Sequence, residues 1–208
     1  MGVITQISSQ KSKKRVNVFV DNIFKSGLSV ETAVKFGLKV GKDINDDELD
    51  EIILNSETGV AFDVALNFLS ATPKSKYEVR QKLFKKGFSI AVIDKAMEKL
   101  EEYHYVDDVE YAKIYISSVS KKSKREIIEK LKKKGVEKQI IDNVIVDIAD
   151  DMDEKNAGIY ARKYLNNKEI SQKNINNLIS NLVRKGYSYE LALSVVERIK
   201  QGEDLWLV

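Results

Sequence analysis

Apolar residues recur at helical spacing along most of the chain, and the exceptions are concentrated at its start. Val3-Ile4-Thr5-Gln6-Ile7-Ser8 and Val16-Asn17-Val18-Phe19-Val20 alternate apolar and polar residues, the period of a strand with one face buried. The polar connector from Ser9 to Arg15 holds Lys11, Lys13, Lys14 and Arg15. The pattern predicts a β-hairpin with a positively charged tip over residues 1–29. A third short strand near Asn22-Ile23-Phe24 is expected to close at a turn at Ser26-Gly27. A lone hairpin is marginal in water, so this one must pack on helices or on a partner. Residues 30–56 read as two short linking helices, 30–36 and 46–55, separated by Gly37, Gly41 and an acidic run. Asp46 or Asp47 suits the start of the second helix, where the dipole favours acids.

From residue 57 the pattern repeats. Leu83-Phe84-Lys85-Lys86-Gly87-Phe88, Leu131-Lys132-Lys133-Lys134-Gly135-Val136 and Leu182-Val183-Arg184-Lys185-Gly186-Tyr187 are variants of one phrase, with glycines 48 and 51 residues apart. Twelve residues before each glycine stands a helix-capping residue, Ser75, Ser123 or Asn174. Glu78 and Glu126 complete a Ser-x-x-Glu capping box in the first two. The apolar positions keep register with the glycine. Leu83, Leu131 and Leu182 lie four residues before it, and Val79, Ile127 and Leu178 eight before. Ala96, Val144 and Val195 lie nine after, and Leu100, Ile148 and Ile199 thirteen after. This predicts three helices per repeat: 58–70, 76–86 and 90–102; 108–119, 124–134 and 138–149; 153–165, 175–185 and 189–200. The expected fold is mainly α. Three tandem three-helix repeats (57–106, 107–151 and 152–200) form an elongated curved array, and a tail follows at 201–208.

Composition supports this reading. One proline and ten glycines in 208 residues leave few helix breakers, which argues against an all-β chain. Without cysteine, disulfides, thiolate metal sites and cysteine nucleophiles are excluded. No apolar run approaches the ~20 residues of a membrane span, and no apolar leader opens the chain. The expectation is a monomeric cytoplasmic protein without a membrane partner. The net charge is only +3, but it is unevenly distributed. Residues 121–138 carry nine Lys or Arg against three Glu, and residues 40–57 carry seven acids against one Lys. A localised basic block points to a polyanion or an acidic protein surface.

Candidates for catalysis are few. The single histidine, His104, follows a predicted helix beside Glu101 and Glu102 with no second imidazole or thiolate, so it reads as a helix-terminal surface residue. Gly37-Leu38-Lys39-Val40-Gly41-Lys42-Asp43 is one residue short of a phosphate-binding loop, and Asp43 stands where Ser or Thr is required. Asp107-Asp108 and Asp150-Asp151 each open a predicted helix and read as caps. No catalytic, cofactor or metal residues are assigned, and the chain is expected not to be an enzyme. What remains is surface: Lys85 and Lys86; Lys121, Lys122, Lys124 and Arg125; Lys132, Lys133 and Lys134; Arg184 and Lys185, with the hairpin tip. Lysines at helix C-termini also have a structural explanation, because they oppose the negative end of the dipole. Tyrosines interleave with these cations, a combination that suits single-stranded nucleic acid. Tandem helix-turn-helix-like units binding DNA directly are a second reading, although no constellation of base-reading side chains stands out.

The residues that carry a family resemblance are Ala65-Leu66-Asn67-Phe68-Leu69-Ser70, Lys74-Ser75-Lys76-Tyr77-Glu78-Val79, Lys82-Leu83-Phe84-Lys85-Lys86-Gly87-Phe88 and Tyr105-Val106-Asp107-Asp108-Val109-Glu110-Tyr111-Ala112. In this order they resemble the RecX family, regulators of the bacterial recombinase RecA, in its Gram-positive form with an N-terminal β-hairpin. The resemblance runs from about Ile4 to Lys200. It differs at Asn67, where members often carry Arg, and near Ser123, where they often carry a Gly before the second-unit helix. It implies a non-enzymatic inhibitor seated in the groove of the RecA–single-stranded DNA filament, dampening ATP hydrolysis, strand exchange and co-protease activity. The basic residues above would then contact DNA or recombinase.

Overall fold

The computed structural model describes residues 1–11, 14–119, 121–146 and 151–202. Two compact units divide the chain, residues 1–106 and 107–208.

The first unit opens with strands β1 (Gly2–Ser9), β2 (Arg15–Val20) and β3 (Ile23–Ser29), followed by helix α1 (Val30–Lys35) and the short strand β4 (Asp43–Ile44). They form an antiparallel sheet in the order β3-β2-β1-β4. The expected hairpin is therefore part of a larger sheet. Strand β3 runs on through Ser26-Gly27, where a closing turn is expected, and the turn that leads into it is at Asp21-Asn22, where φ is 50° and 63°. Asn and Asp tolerate that left-handed region, and paired positive φ matches the twist of a two-residue hairpin loop. Val16, Val18, Val20, Ile4 and Leu28 face inward, against Ala33 of α1 and Leu49 and Ile52 of the next helix.

That helix, α2, is a second correction. It runs unbroken through 24 residues, Asp46–Leu69, and merges a linking helix with the first helix of the first repeat. Ser56-Glu57-Thr58-Gly59 reads as a break, but each polar group finds a partner without one. The Thr58 hydroxyl donates to the Leu54 carbonyl at 2.7 Å, and the Ser56 hydroxyl accepts from the Ser29 N–H at 3.0 Å. The N-terminal half of α2 packs under the sheet. Its C-terminal half places Ala61 and Ala65 in a separate cluster with α3 (Lys76–Lys85) and α4 (Ile90–Glu102). Unbroken, α2 is long and apolar enough to cross a membrane by composition alone, a length that two separate helices would not reach. Its first turn, Asp46-Asp47-Glu48, and its two buried stripes suit a core helix.

The second unit holds α5 (Asp108–Ser118), α6 (Lys124–Lys133) and α7 (Lys138–Ile145) around one apolar cluster. A second cluster is enclosed by α8 (Met152–Leu165), α9 (Gln172–Arg184) and α10 (Tyr189–Lys200). Helix α9 starts earlier than expected. Ser171, not Asn174, is its cap, and the Ser171 hydroxyl accepts from the Asn174 N–H. The expected core position Ile148 lies outside the described residues, and Ile199 is half-buried; the other glycine-registered core residues are buried. Gly87, Gly135 and Gly186 have φ of 87°, 74° and 96° and close the same motif. The residue after each glycine donates its N–H back to Leu83, Leu131 or Leu182, at 3.4, 3.1 and 3.2 Å. This is the Schellman arrangement, which needs a left-handed residue after the helix.

Of the other candidates, His104 sits exposed just beyond α4 with φ 57°. Asp107 caps α5 through two N–H groups. Asp150 lies outside the described residues. Asp151 precedes α8 without a capping bond and pairs with Lys155 at 2.6 Å, which holds its carboxyl below the usual range.

Candidate functional site

The N-terminus of α6 is held by two of the helices that build the second unit's other cluster. The Ser123 hydroxyl accepts from the Glu126 N–H at 3.1 Å and donates to the Lys185 carbonyl, at the end of α9, at 2.7 Å. From α8, the Asp153 carboxylate accepts from the Lys124 N–H at 2.7 Å, and the Asn156 amide donates to the Lys122 carbonyl at 3.0 Å. Glu126 does not complete the second half of the expected capping box; its carboxylate takes the Lys122 ammonium instead. That hydrogen bond raises the Lys122 pKa above its ordinary value. Tyr187, which follows the Schellman glycine, is buried in the α8–α10 core. Burial, followed by the nearby Asp153 and Glu126 charges, pushes its hydroxyl up to about 12.

Ser123 thus acts twice, as a cap and as a bridge between α6 and α9. Ser123→Ala is expected to destabilise the second unit by about 2 kcal/mol. Ser188→Ala, which removes only the cap of α10, should cost about half of that. Amide hydrogen exchange of the two variants checks this, and equal costs would refute the bridge.

This docking leaves a groove of about 450 Å³ between α6 and the end of α9. Arg125, Lys130 and Lys133 line it from one side and Arg184 and Lys185 from the other, with Glu126 and Glu129 as the only acids among the described residues. Arg125, Lys130 and Lys133 have no ion pair among the described residues. Among the described residues the Arg184 guanidinium reaches only the neutral Asn181 amide. The Lys185 ammonium lies 4.7 Å from the Tyr160 ring centroid. Tyr160 stacks on Tyr164, 6.3 Å away, and Lys168 stands 3.6 Å over Tyr164. Cations left without a protein counter-charge and facing a common concavity attract a polyanion and release its counterions on binding.

The structure brings together four of the residues singled out in the sequence: Arg125, Lys133, Arg184 and Lys185. Lys132 and Lys121 are exposed outside the groove, while Lys122, Lys124 and Lys134 are half-buried around the ends of α6. Lys85 and Lys86 are exposed at the end of α3, in the first unit. There Lys11 and Lys14 are exposed at the hairpin tip, Arg15 is half-buried, and Lys13 lies outside the described residues. Lys130, which belongs to the same basic block in the sequence, also lines the groove. The Tyr160–Tyr164 pair could have been read from its i, i+4 spacing. The meeting of α6 with α9 has no signal in the sequence.

Comparison with known proteins agrees with this fold. A family described as the regulatory protein RecX N-terminal domain matches residues 2–45, and one described as the first three-helix domain of RecX matches residues 61–100. Regulatory protein RecX of Leuconostoc mesenteroides is 32% identical over 98% of this chain and 78% of its own length. That of Listeria monocytogenes is 33% identical over 91% of this chain and 72% of its own length. A crystal structure of regulatory protein RecX is similar in fold, with a TM-score of 0.71 at 21% identity, over 97% of this chain and all of that one. RecX from Lactobacillus salivarius has a TM-score of 0.63 at 22% identity, covering 70% of this chain and 97% of its own. The chain belongs to the RecX family of regulatory proteins.

Proposed function

We propose that this protein is a non-enzymatic modulator of the RecA recombinase, an inhibitor that binds in the groove of the RecA–single-stranded DNA filament. It works in the cytoplasm, as a monomer, and lowers ATP hydrolysis, strand exchange and co-protease activity. The observation that carries this reading is the cationic groove between α6 and α9. Its unpaired Arg125, Lys130 and Lys133 suit the phosphates or acidic side chains that a nucleoprotein filament presents along its length. Membership of a family of regulatory proteins supports a role in control rather than catalysis.

The test is DNA-dependent ATP hydrolysis by the recombinase. Added in stoichiometric amount, the protein is expected to lower the steady-state rate several-fold and to slow strand exchange. Unchanged hydrolysis and exchange would sink the proposal. Binding to naked DNA separates it from the reading of a direct DNA-binding protein. Tight recombinase-free binding with a steep fall of log K against log salt would favour that second reading.

A further inference from the structure

The outer face of the N-terminal sheet has a chemistry of its own. Helices α1 and α2 pack on its inner face only, around Val16, Val18 and Val20. On the other face Phe19 of β2 pairs directly with Phe24 of β3. Their rings meet edge to face, with centroids 5.7 Å apart and planes at 68°. Among the described residues no core lies above them, and Phe24 is 54% exposed. Toward the other end of β2, Asn17 and Arg15 occupy the same face. The Gln10 amide donates to Asn17 Oδ1 at 2.6 Å, and the Arg15 guanidinium donates to the Gly27 carbonyl at 2.6 Å.

Gly27 keeps this area flat. A Cβ there would lie 2.4 Å from the Gln10 amide nitrogen, so any side chain would displace the amide pair. The floor between the aromatic pair and Arg15 is thus an amide pair with a donor and an acceptor to spare, Asn17 Nδ2 and Gln10 Oε1. Charge completes the pattern. Residues 1–30 hold five Lys or Arg and a single acid, Asp21, which stands in the β2–β3 turn two residues from Phe19, its carboxylate accepting from the Val3 N–H. Four residues separate Phe19 from Arg15 along β2, about 13 Å at strand rise. That spans one base and the phosphate of its neighbour.

We propose that this face is a stacking platform for single-stranded DNA. An unpaired base stacks on Phe24 beside Phe19, the Gln10–Asn17 amides meet a base edge, and Arg15 takes a phosphate. Exposed rings on a flat sheet read unpaired bases, which duplex DNA does not offer. The amides and the cation beside the rings suit nucleic acid better than a protein partner, whose anchors sit in apolar pockets. The choice of DNA over RNA rests on the filament reading above; the stacking site does not.

The experiment places a fluorescent reporter in the full chain as Phe24→Trp, with Trp206→Phe removing the native indole. Titration with oligothymidylate is expected to quench the introduced indole saturably, and a duplex of equal length to require at least ten-fold more. The quench should survive Lys133→Glu with Arg184→Glu, so its failure and failure of the α6–α9 groove are told apart. In that same double background, Phe24→Ala should weaken oligothymidylate binding about ten-fold by fluorescence anisotropy. Absence of quenching, equal quenching by duplex, or an unchanged affinity of Phe24→Ala would overturn the platform. Quenching by recombinase alone but not by DNA would reassign the face to protein. Ten-fold tighter binding of oligouridylate would overturn the assignment to DNA.

Discussion

Gly186→Ala is expected to destabilise the second unit by about 2–4 kcal/mol, roughly twice what Gly87→Ala costs the first. Both glycines sit in the left-handed region, at φ of 96° and 87°, and a side chain there costs about 1–2 kcal/mol. Around Gly87 the space is open, so the backbone term stands alone. A Cβ on Gly186 would lie 2.7 Å from the Ser123 hydroxyl and 3.3 Å from Arg125 Cβ. The hydroxyl has little freedom to retreat, because it is buried and bonded to both the Glu126 N–H and the Lys185 carbonyl. Accommodating the methyl breaks the cap or separates α6 from α9. Amide exchange in each unit of the two variants reads the difference. Equal losses would mean that the junction yields without cost.

The second large effect is functional. Lys133→Glu combined with Arg184→Glu should raise the concentration needed to lower recombinase ATP hydrolysis by about 100-fold. Each reversal removes one attraction and introduces one repulsion, and the two residues face each other across the groove. Both are exposed, but each ends its helix, so a carboxylate there opposes the dipole and should cost stability about 0.5–1 kcal/mol per site. The salt dependence of filament binding should flatten in parallel. Lys39→Glu with Lys95→Glu makes the same change in net charge at exposed sites in the first unit. It should shift the response less than about three-fold if the groove, rather than overall charge, is responsible. A similar loss in both double variants would refute the groove.

The periodic parts of the chain were legible because their causes are local. A leucine four residues before a glycine with a lysine between describes a helix with a left-handed stop, and in the first two phrases a serine twelve before the glycine supplies the cap. Three such phrases set the register of Leu83, Leu131 and Leu182 in three cores. Local reasoning failed where a tertiary partner decided. Ser56 and Thr58 look like a break until the Ser29 N–H and the Leu54 carbonyl claim their hydroxyls. Asn174 looks like a cap because it matches the spacing of Ser75 and Ser123, yet Ser171 opens α9 three residues sooner. Ser26-Gly27 reads as a turn by residue type, yet β3 runs through it, with Gly27 paired to Asn17 and leaving room for the Gln10 amide. Of the candidate site, the cations were visible individually. Their grouping depends on Ser123 bonding to a carbonyl 62 residues away, a separation no periodicity reveals.

The continuity of α2 has a mechanical consequence. Twenty-four residues of helix form a strut about 36 Å long, anchored under the sheet at Leu49 and Ile52 and in the α3–α4 cluster at Ala61 and Ala65. A hinge at Ser56 would have let the strands swing independently. A strut instead transmits torque, so a pull on the sheet is delivered to the first helical triplet without slack.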